Sequence, residues 1–189
     1  MKGFPKQKND KESIGPVNNR VPFGLVRIGI IAATVIILWI TGNFIFYAKS
    51  HGESIYEAYY HPYPNILTPA KHQDEMDYTA VMKLYENGEY SACLKALETV
   101  IVEDTDNVGL QFYYAICQLE LGNTDFAIAD FEYIKHLNDP IFSLPSTWYL
   151  SLAYLKLDQI EEAKTEFNTL GSTAGPYQQK TREILGKLK

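Results

Sequence analysis

The chain has 189 residues, of which 46% are hydrophobic and 13% aromatic, so it is too apolar for a disordered chain, and its two cysteines are too few for a disulfide-stabilised mini-protein. The formal net charge of −6 is unevenly distributed: residues 1–48 carry six Lys or Arg and two Asp or Glu, whereas residues 49–189 carry eleven and twenty-one. The acidic character of residues 49–189 disfavours binding to nucleic acid, which relies on clustered basic side chains.

The first predicted elements are a flexible basic tail over residues 1–22 and a transmembrane helix over residues 23–48. The run IGIIAATVIILWITGNFIFYA, residues 28–48, carries no charge, and a helix of this length spans about 30 Å, the thickness of a bilayer core. The alternative is a cleaved signal peptide. However, the apolar run exceeds about 15 residues, and bulky Phe46 stands where cleavage after Ala48 would require a small residue. We therefore expect an uncleaved anchor that contacts the lipid bilayer.

The charges that flank the apolar run predict its orientation. Six basic residues precede the run, and Lys49 alone follows it before Glu53 and Glu57. Because basic flanks stay on the cytoplasmic side, we expect a single-pass membrane protein with a cytoplasmic N-terminus and a C-terminal domain outside the cytoplasm. In a Gram-negative bacterial cell this means the inner membrane and the periplasm.

Residues 49–73 are predicted to form a juxtamembrane helix and a Pro-rich linker. The stretch ESIYEAYY, residues 53–60, places Ile and Tyr side chains at helical spacing, and we expect its tyrosines, Tyr56 among them, at the depth of the lipid headgroups. The next stretch, HPYPNILTPA, contains three prolines that favour extended backbone. It predicts either a stiff linker or a strap over the following domain, and the sequence leaves both open.

Residues 74–189 contain a repeat of about 34 residues. Gly88 and Gly122 stand 34 positions apart, and each is followed by a small residue five positions later and by a large apolar residue nine positions later. A third copy has Asp158 at the position of the glycine. Each unit is expected to be an αα-hairpin that stacks on the next. The predicted units are residues 74–107, 108–143 and 144–175, followed by a capping helix over residues 176–188.

This spacing resembles the tetratricopeptide repeat (TPR). The residues that carry the resemblance are Val81, Ala115 and Ser151 at the first small position, Cys93, Ala127 and Ala163 at the second, and Leu97, Phe131 and Phe167 at the large apolar position. The resemblance covers about residues 74–172, and the layout as a whole is similar to membrane-anchored TPR proteins of Gram-negative envelopes. It implies an all-α fold: an N-terminal transmembrane helix, a TPR-like solenoid of about three repeats and a C-terminal capping helix.

The resemblance also implies a concave groove lined by the inner helix of each repeat. The expected groove residues are apolar and aromatic: Tyr78, Met82, Tyr85, Phe112, Ile116, Leu119, Trp148, Leu152 and Leu155. An exposed apolar stripe usually marks an interaction site, so we expect this face to bind another protein or a peptide segment. Two alternatives stay open: the linker could cover the groove, or a second copy could do so in a homo-oligomer.

The histidines and cysteines do not form a recognisable metal-binding or catalytic motif. The four histidines, His51, His61, His72 and His136, lack metal-ligand spacing, and we expect no metal, cofactor or catalytic residue. Cys93 and Cys117 occupy positions where repeats pack small side chains. A disulfide between these two cysteines is the alternative, which only geometry decides.

The sequence therefore predicts a protein that binds and is not an enzyme: a membrane-anchored periplasmic TPR module that scaffolds or tethers an envelope partner. One alternative is a chaperone-like accessory of a secretion or assembly machine, which would bind unfolded clients. The other is a transmembrane sensor that relays a signal to the basic tail.

Overall fold

The computed structural model describes residues 49–67 and 78–189. It also describes four helical positions of the preceding segment, Thr34, Ile36, Ile37 and Trp39. The predicted tail, residues 1–22, and the remainder of the predicted transmembrane segment, residues 23–48, lie outside the described residues. Among the residues that are described, no helix combines the length and the apolar character needed to cross a membrane.

Residues 49–189 form one compact unit, and its described part contains eight α-helices and no strand. The helices are α1 (His51–Tyr59), α2 (Thr79–Glu86), α3 (Tyr90–Glu103), α4 (Val108–Glu120), α5 (Thr124–His136), α6 (Ser143–Lys156), α7 (Ile160–Ser172) and α8 (Gln178–Lys187). From α2 onward each helix packs on the next, so α2 to α7 are three helical hairpins and α8 closes the row. The predicted all-α class of stacked helical hairpins is confirmed for this part of the chain.

The tight turn inside each hairpin has the same backbone conformation. Gly88 and Gly122 adopt φ values of 74° and 81°, in the left-handed region where glycine has no steric penalty. The third turn has no glycine, yet Asp158 takes the same conformation with φ 58°. Asp is one of the few residues that tolerate this region. The three hairpins therefore turn alike although their turn residues differ.

The core between the helices follows the repeated small and large positions. All six residues at the second small position and at the large apolar position are fully buried: Cys93, Ala127, Ala163, Leu97, Phe131 and Phe167. Small side chains allow the paired helices to approach, and each large side chain then fills the space toward the neighbouring hairpin. Burying one such large side chain stabilises the fold by about 1.5–3 kcal/mol.

Helix α1 belongs to this unit, because it packs against α6. The hydroxyl of Ser50 caps α1 by accepting a hydrogen bond from the backbone of Glu53 at 3.0 Å. The ring of Tyr56 is buried in the core. The expectation of a Tyr56 ring presented to lipid headgroups is therefore not met, because the ring packs inside the repeat domain. The apolar stripe of α1 faces the helical repeats.

Candidate interaction site

A proline-rich segment, residues 60–67, follows α1 and lies against the inner helices α2, α4 and α6; we call it the strap. One tyrosine hydroxyl from each of these helices donates a hydrogen bond to a backbone carbonyl oxygen of the strap. The bonds run from Tyr149 to His61 (2.6 Å), from Tyr85 to Tyr63 (2.6 Å) and from Tyr113 to Pro64 (2.8 Å). The backbone of the strap is thus bound along the groove by three hairpins.

Further polar contacts secure the strap at both ends. The backbone N–H of Ile66 donates to the hydroxyl of Tyr113 at 2.8 Å, so this tyrosine both donates to the strap and accepts from it. The Tyr60 hydroxyl donates to Glu120 Oε1 at 2.8 Å. Near the other end, Asn65 Nδ2 donates to Glu86 Oε1, also at 2.8 Å. Charged acceptors make the last two bonds stronger than bonds between neutral groups.

The side chain of Tyr63 inserts among aromatic rings of the groove. Its ring centre lies 5.1 Å from that of Phe112 and 6.1 Å from that of Tyr149, and both contacts are edge-to-face. Pairs in this geometry add about 0.5–1.5 kcal/mol beyond the area they bury. Burial also raises the pKa of the Tyr85 hydroxyl well above its usual range, so this group remains a donor to the strap at physiological pH.

The N-terminus of α1 contacts the third hairpin very closely. The backbone N–H of Gly52 donates to Asp158 Oδ1 at 3.0 Å, which places a carboxylate at the positive end of the α1 dipole. A Cβ atom on Gly52 would lie 2.5 Å from the carbonyl oxygen of Leu155 and 2.9 Å from Asp158 Oδ1. Only glycine therefore fits at this point. Asp158 combines two functions, since it forms the left-handed turn and caps α1.

Eight of the nine residues predicted to line the groove are buried: Met82, Tyr85, Phe112, Ile116, Leu119, Trp148, Leu152 and Leu155. The ninth, Tyr78, is half-buried, and its hydroxyl bonds to Asp104. Tyr85 and Phe112 contact the strap directly. Trp148 instead packs on Phe167 and stacks on Tyr177, at 5.8 Å and 5.0 Å between ring centres.

The structure decides a question that the sequence left open, because the chain's own strap covers the groove. Two residues central to this arrangement, Tyr113 and Tyr149, are absent from the predicted groove set. Each directly follows a predicted groove aromatic, Phe112 or Trp148. The repeat register assigns only the first residue of each adjacent pair to the groove. The presence of two consecutive aromatic residues in α4 and in α6 is the sequence signal that could identify Tyr113 and Tyr149.

A second concave site, which we call the outer cleft, lies between α3, α4 and α5. Its volume is about 350 Å³, within the range of small-ligand sites. It is lined by Glu98, Ile101, Gln111, Tyr114, Asp130, Tyr133 and Ile134. None of these side chains takes part in the hydrogen bonds or ring contacts that hold the strap.

The outer cleft carries negative charge without a matching cation. Within the described ranges, neither Glu98 nor Asp130 forms an ion pair. Burial raises the pKa of Asp130 to about 6. Glu98 Oε1 accepts only a long hydrogen bond, 3.4 Å, from the Tyr114 hydroxyl. Gln111 Oε1 is buried and has no donor among the residues that the structure describes.

The two cysteines are free, buried and adjacent to each other on α3 and α4. Cys93 Sγ lies 3.6 Å from the carbonyl oxygen of Val81, and a hydrogen bond between the two thiols together with burial raises the pKa of the Cys117 thiol. Over residues 49–67 and 78–189, no group of three or more His, Cys, Asp or Glu is placed to hold a metal ion.

Comparisons with known proteins extend only to the fold. No family model and no curated protein matches the chain. The solved structure of the Yersinia enterocolitica type III secretion translocator chaperone SycD is similar to this chain with a TM-score of 0.52 and 16% sequence identity. The match covers 59% of this chain and 79% of that one. At this identity the likeness shows the fold alone, a helical repeat protein.

Proposed function

We propose that the chain is a membrane-anchored protein–protein interaction module that binds its partner on the outer surface of the helical repeats. The observation that carries this proposal is the occupied groove: three inner helices donate hydrogen bonds to the strap, and Tyr63 fills the aromatic centre. A groove filled at this density is part of the protein core. The surface left to a partner is therefore the outer one.

The outer surface has the composition of an interaction site. Large apolar side chains are exposed on α3, on α5 and in the connection to α6: Val102, Phe126, Tyr133 and Ile141, with exposed fractions of 77%, 68%, 57% and 55%. Phe126 and Tyr133 stand seven positions apart and so share one face of α5. Aromatic residues contribute strongly to binding at protein interfaces. Together with the outer cleft, they form the surface that we assign to the partner.

Site-directed photocrosslinking in the native cell tests this assignment. A photoreactive residue at Phe126 or Tyr133 of the full-length chain should yield a discrete adduct with the partner. The same residue at Tyr63, whose side chain inserts into the groove, should crosslink only within the chain. A partner adduct from Tyr63 together with none from α5 would contradict the proposal.

We propose further that residues 28–48 anchor the chain and that the repeat domain lies in the periplasm. The support is the uncharged run of 21 residues and the excess of basic residues before it. A phosphatase reporter fused after Lys189 should be active and remain in the membrane fraction. An inactive reporter would reverse the orientation, and activity in the soluble fraction would indicate cleavage.

The second candidate is a chaperone-like accessory that binds an extended client in the groove. Two observations favour it: the fold is similar to that of a translocator chaperone, and the groove already binds an extended segment through its backbone, a mode that tolerates other sequences. A client would then displace the strap. Weakening the hold on the strap with Tyr85→Phe, which removes the hydrogen bond to the carbonyl oxygen of Tyr63, should increase client capture if this is correct. The same variant should leave capture on the outer surface unchanged if the scaffold is correct.

A further inference from the structure

We propose that the outer cleft binds an arginine side chain of the partner protein. This inference rests on the proposed function, since it names the chemistry by which a partner is recognised on the outer surface. The site is built from three consecutive helices of two neighbouring hairpins, and it provides carboxylates, tyrosine rings and an amide oxygen.

The charges of the cleft indicate a cation. Glu98 on α3 and Asp130 on α5 line the same cleft, and no described Lys, Arg or His pairs with either. Asp130 is half-buried and Glu98 is exposed at the rim of the cleft. A half-buried carboxylate without a counter-charge is unfavourable, because burial removes hydration that nothing replaces. A bound cation would replace the hydration that the carboxylate has lost, so the cleft is complementary to a positively charged group.

The aromatic rings and the amide favour arginine over other cations. Tyr114 and Tyr133 line the cleft beside the carboxylates. A guanidinium group stacks on aromatic faces and offers five donors in a rigid plane, whereas a lysine ammonium is a compact point charge. The buried Gln111 Oε1 lacks a donor among the described residues, and a group with several N–H bonds could satisfy it as well as the carboxylates.

A protein side chain fits the site better than a free metabolite. The cleft is continuous with an exposed apolar surface, since Tyr133 both lines it and is 57% exposed. A partner that places an arginine in the cleft would therefore cover Tyr133 at the same time. Arginine and tyrosine are also among the residue types that dominate the energetics of protein interfaces.

The test uses the full-length chain in detergent micelles, labelled at the isoleucine δ1 methyl groups for NMR. The probe is N-acetyl-arginine-N-methylamide, and N-acetyl-citrulline-N-methylamide is its uncharged isostere. The arginine compound should shift the methyl signals of Ile101 and Ile134 saturably, with a Kd on the order of 1 mM for so small a ligand. The signal of Ile184, which is buried in α8, should not move.

Matched variants complete the experiment. The double variant Glu98→Gln, Asp130→Asn should weaken binding of the arginine compound about tenfold or more, because it removes both charged acceptors. The control Glu161→Gln, Glu162→Gln removes the same charge from exposed positions on α7 and should bind like the wild type. Should the first double variant fail to fold, the single variant Tyr133→Leu, at an exposed position, should still weaken binding.

Either of two results would overturn the inference: equal shifts with the citrulline compound, or unchanged affinity in the folded Glu98→Gln, Asp130→Asn variant. The outcome is separable from that of the proposed function. If photocrosslinks at Phe126 and Tyr133 form but the arginine compound does not bind, this inference fails and the outer-surface module stands. If the arginine compound binds but no crosslinks form on α5, the cleft is a cation site and the outer-surface module fails.

Discussion

The groove and the outer cleft are built from similar residue types, yet only one of them is complete within the chain. In the groove, the hydroxyls of Tyr85 and Tyr149 donate to strap carbonyls, and Glu120 accepts from Tyr60. In the outer cleft, Asp130 and Glu98 have no cationic partner over the described ranges. Residue type alone therefore does not distinguish a structural surface from a binding surface. What distinguishes them is whether the chain itself satisfies the polar groups.

The largest expected difference between the two regions concerns aromatic truncation. Phe112→Ala, at a fully buried position of the groove, should lower the free energy of unfolding by about 3–5 kcal/mol through loss of packing and creation of a cavity. Tyr133→Ala, at the outer cleft, should change it by less than about 0.5 kcal/mol. Urea denaturation followed by circular dichroism measures both. Similar losses in the two variants would show that the groove is not core.

A smaller effect is expected where α1 meets the third hairpin. Gly52→Ala should destabilise the unit by about 1–3 kcal/mol, because the new methyl group would collide with the carbonyl oxygen of Leu155. Gly186→Ala is the matched control: nothing lies within 4 Å of a Cβ there, and alanine in α8 should stabilise by about 0.5–1 kcal/mol. Chemical denaturation of both variants tests the close approach. A neutral Gly52→Ala would mean that α1 can move away without cost.

Loss of a single tyrosine hydroxyl group should affect stability in the groove but not in the outer cleft. Tyr85→Phe should cost about 1–2 kcal/mol, since the carbonyl oxygen of Tyr63 would lose its donor in a partly buried place. Tyr133→Phe removes a hydroxyl from the open cleft and should be neutral. Hydrogen exchange at the Ile66 amide, which Tyr113 binds, offers a second measurement of strap release. The prediction fails if both phenylalanine variants unfold at the same denaturant concentration.

The smallest effect concerns pH. Burial raises the pKa of Asp130 from 3.8 to about 6, so its contribution to stability is fully present below about pH 3.8 and is lost as pH rises through about 6. Because the carboxylate is partly solvated, the change should amount to only about 1 kcal/mol. Asp130→Asn should flatten the stability profile between pH 4 and pH 7. An unaltered profile would show that Asp130 does not titrate in this range.

The sequence predicts the helical fold well because repeat packing is a local pattern. The spacing of Gly88 and Gly122 identifies two turns, and the buried Phe131 and Phe167 follow nine positions after each turn residue of the second and third units. The conformation of Asp158 at the third turn also follows from its place in the repeat. These features depend on contacts between residues that are close along the chain, and a periodic sequence pattern predicts such contacts.

The two interaction surfaces are predicted less completely, because they depend on contacts between distant residues. Pro62 and Pro64 indicate that the strap is extended, but nothing local shows that Tyr63 meets Phe112, 49 positions away. The outer cleft combines side chains from three helices, and Asp130 alone resembles an ordinary solvated carboxylate in the sequence. The register of the repeat predicts which face a residue occupies, not which distant segment covers it.

The strap also changes how this array of repeats should fold. Helical repeat arrays behave almost as one-dimensional chains, in which each unit contacts only its neighbours and can open independently. Here α1 and the strap reach every hairpin, and His51 Nε2 lies 3.0 Å from the carbonyl oxygen of Lys187, a residue made 136 positions later. During synthesis α1 and the strap emerge before the hairpins on which they pack, and α1 obtains its last contact only when α8 has formed. Such non-local closure slows folding but couples the repeats into a single cooperative transition.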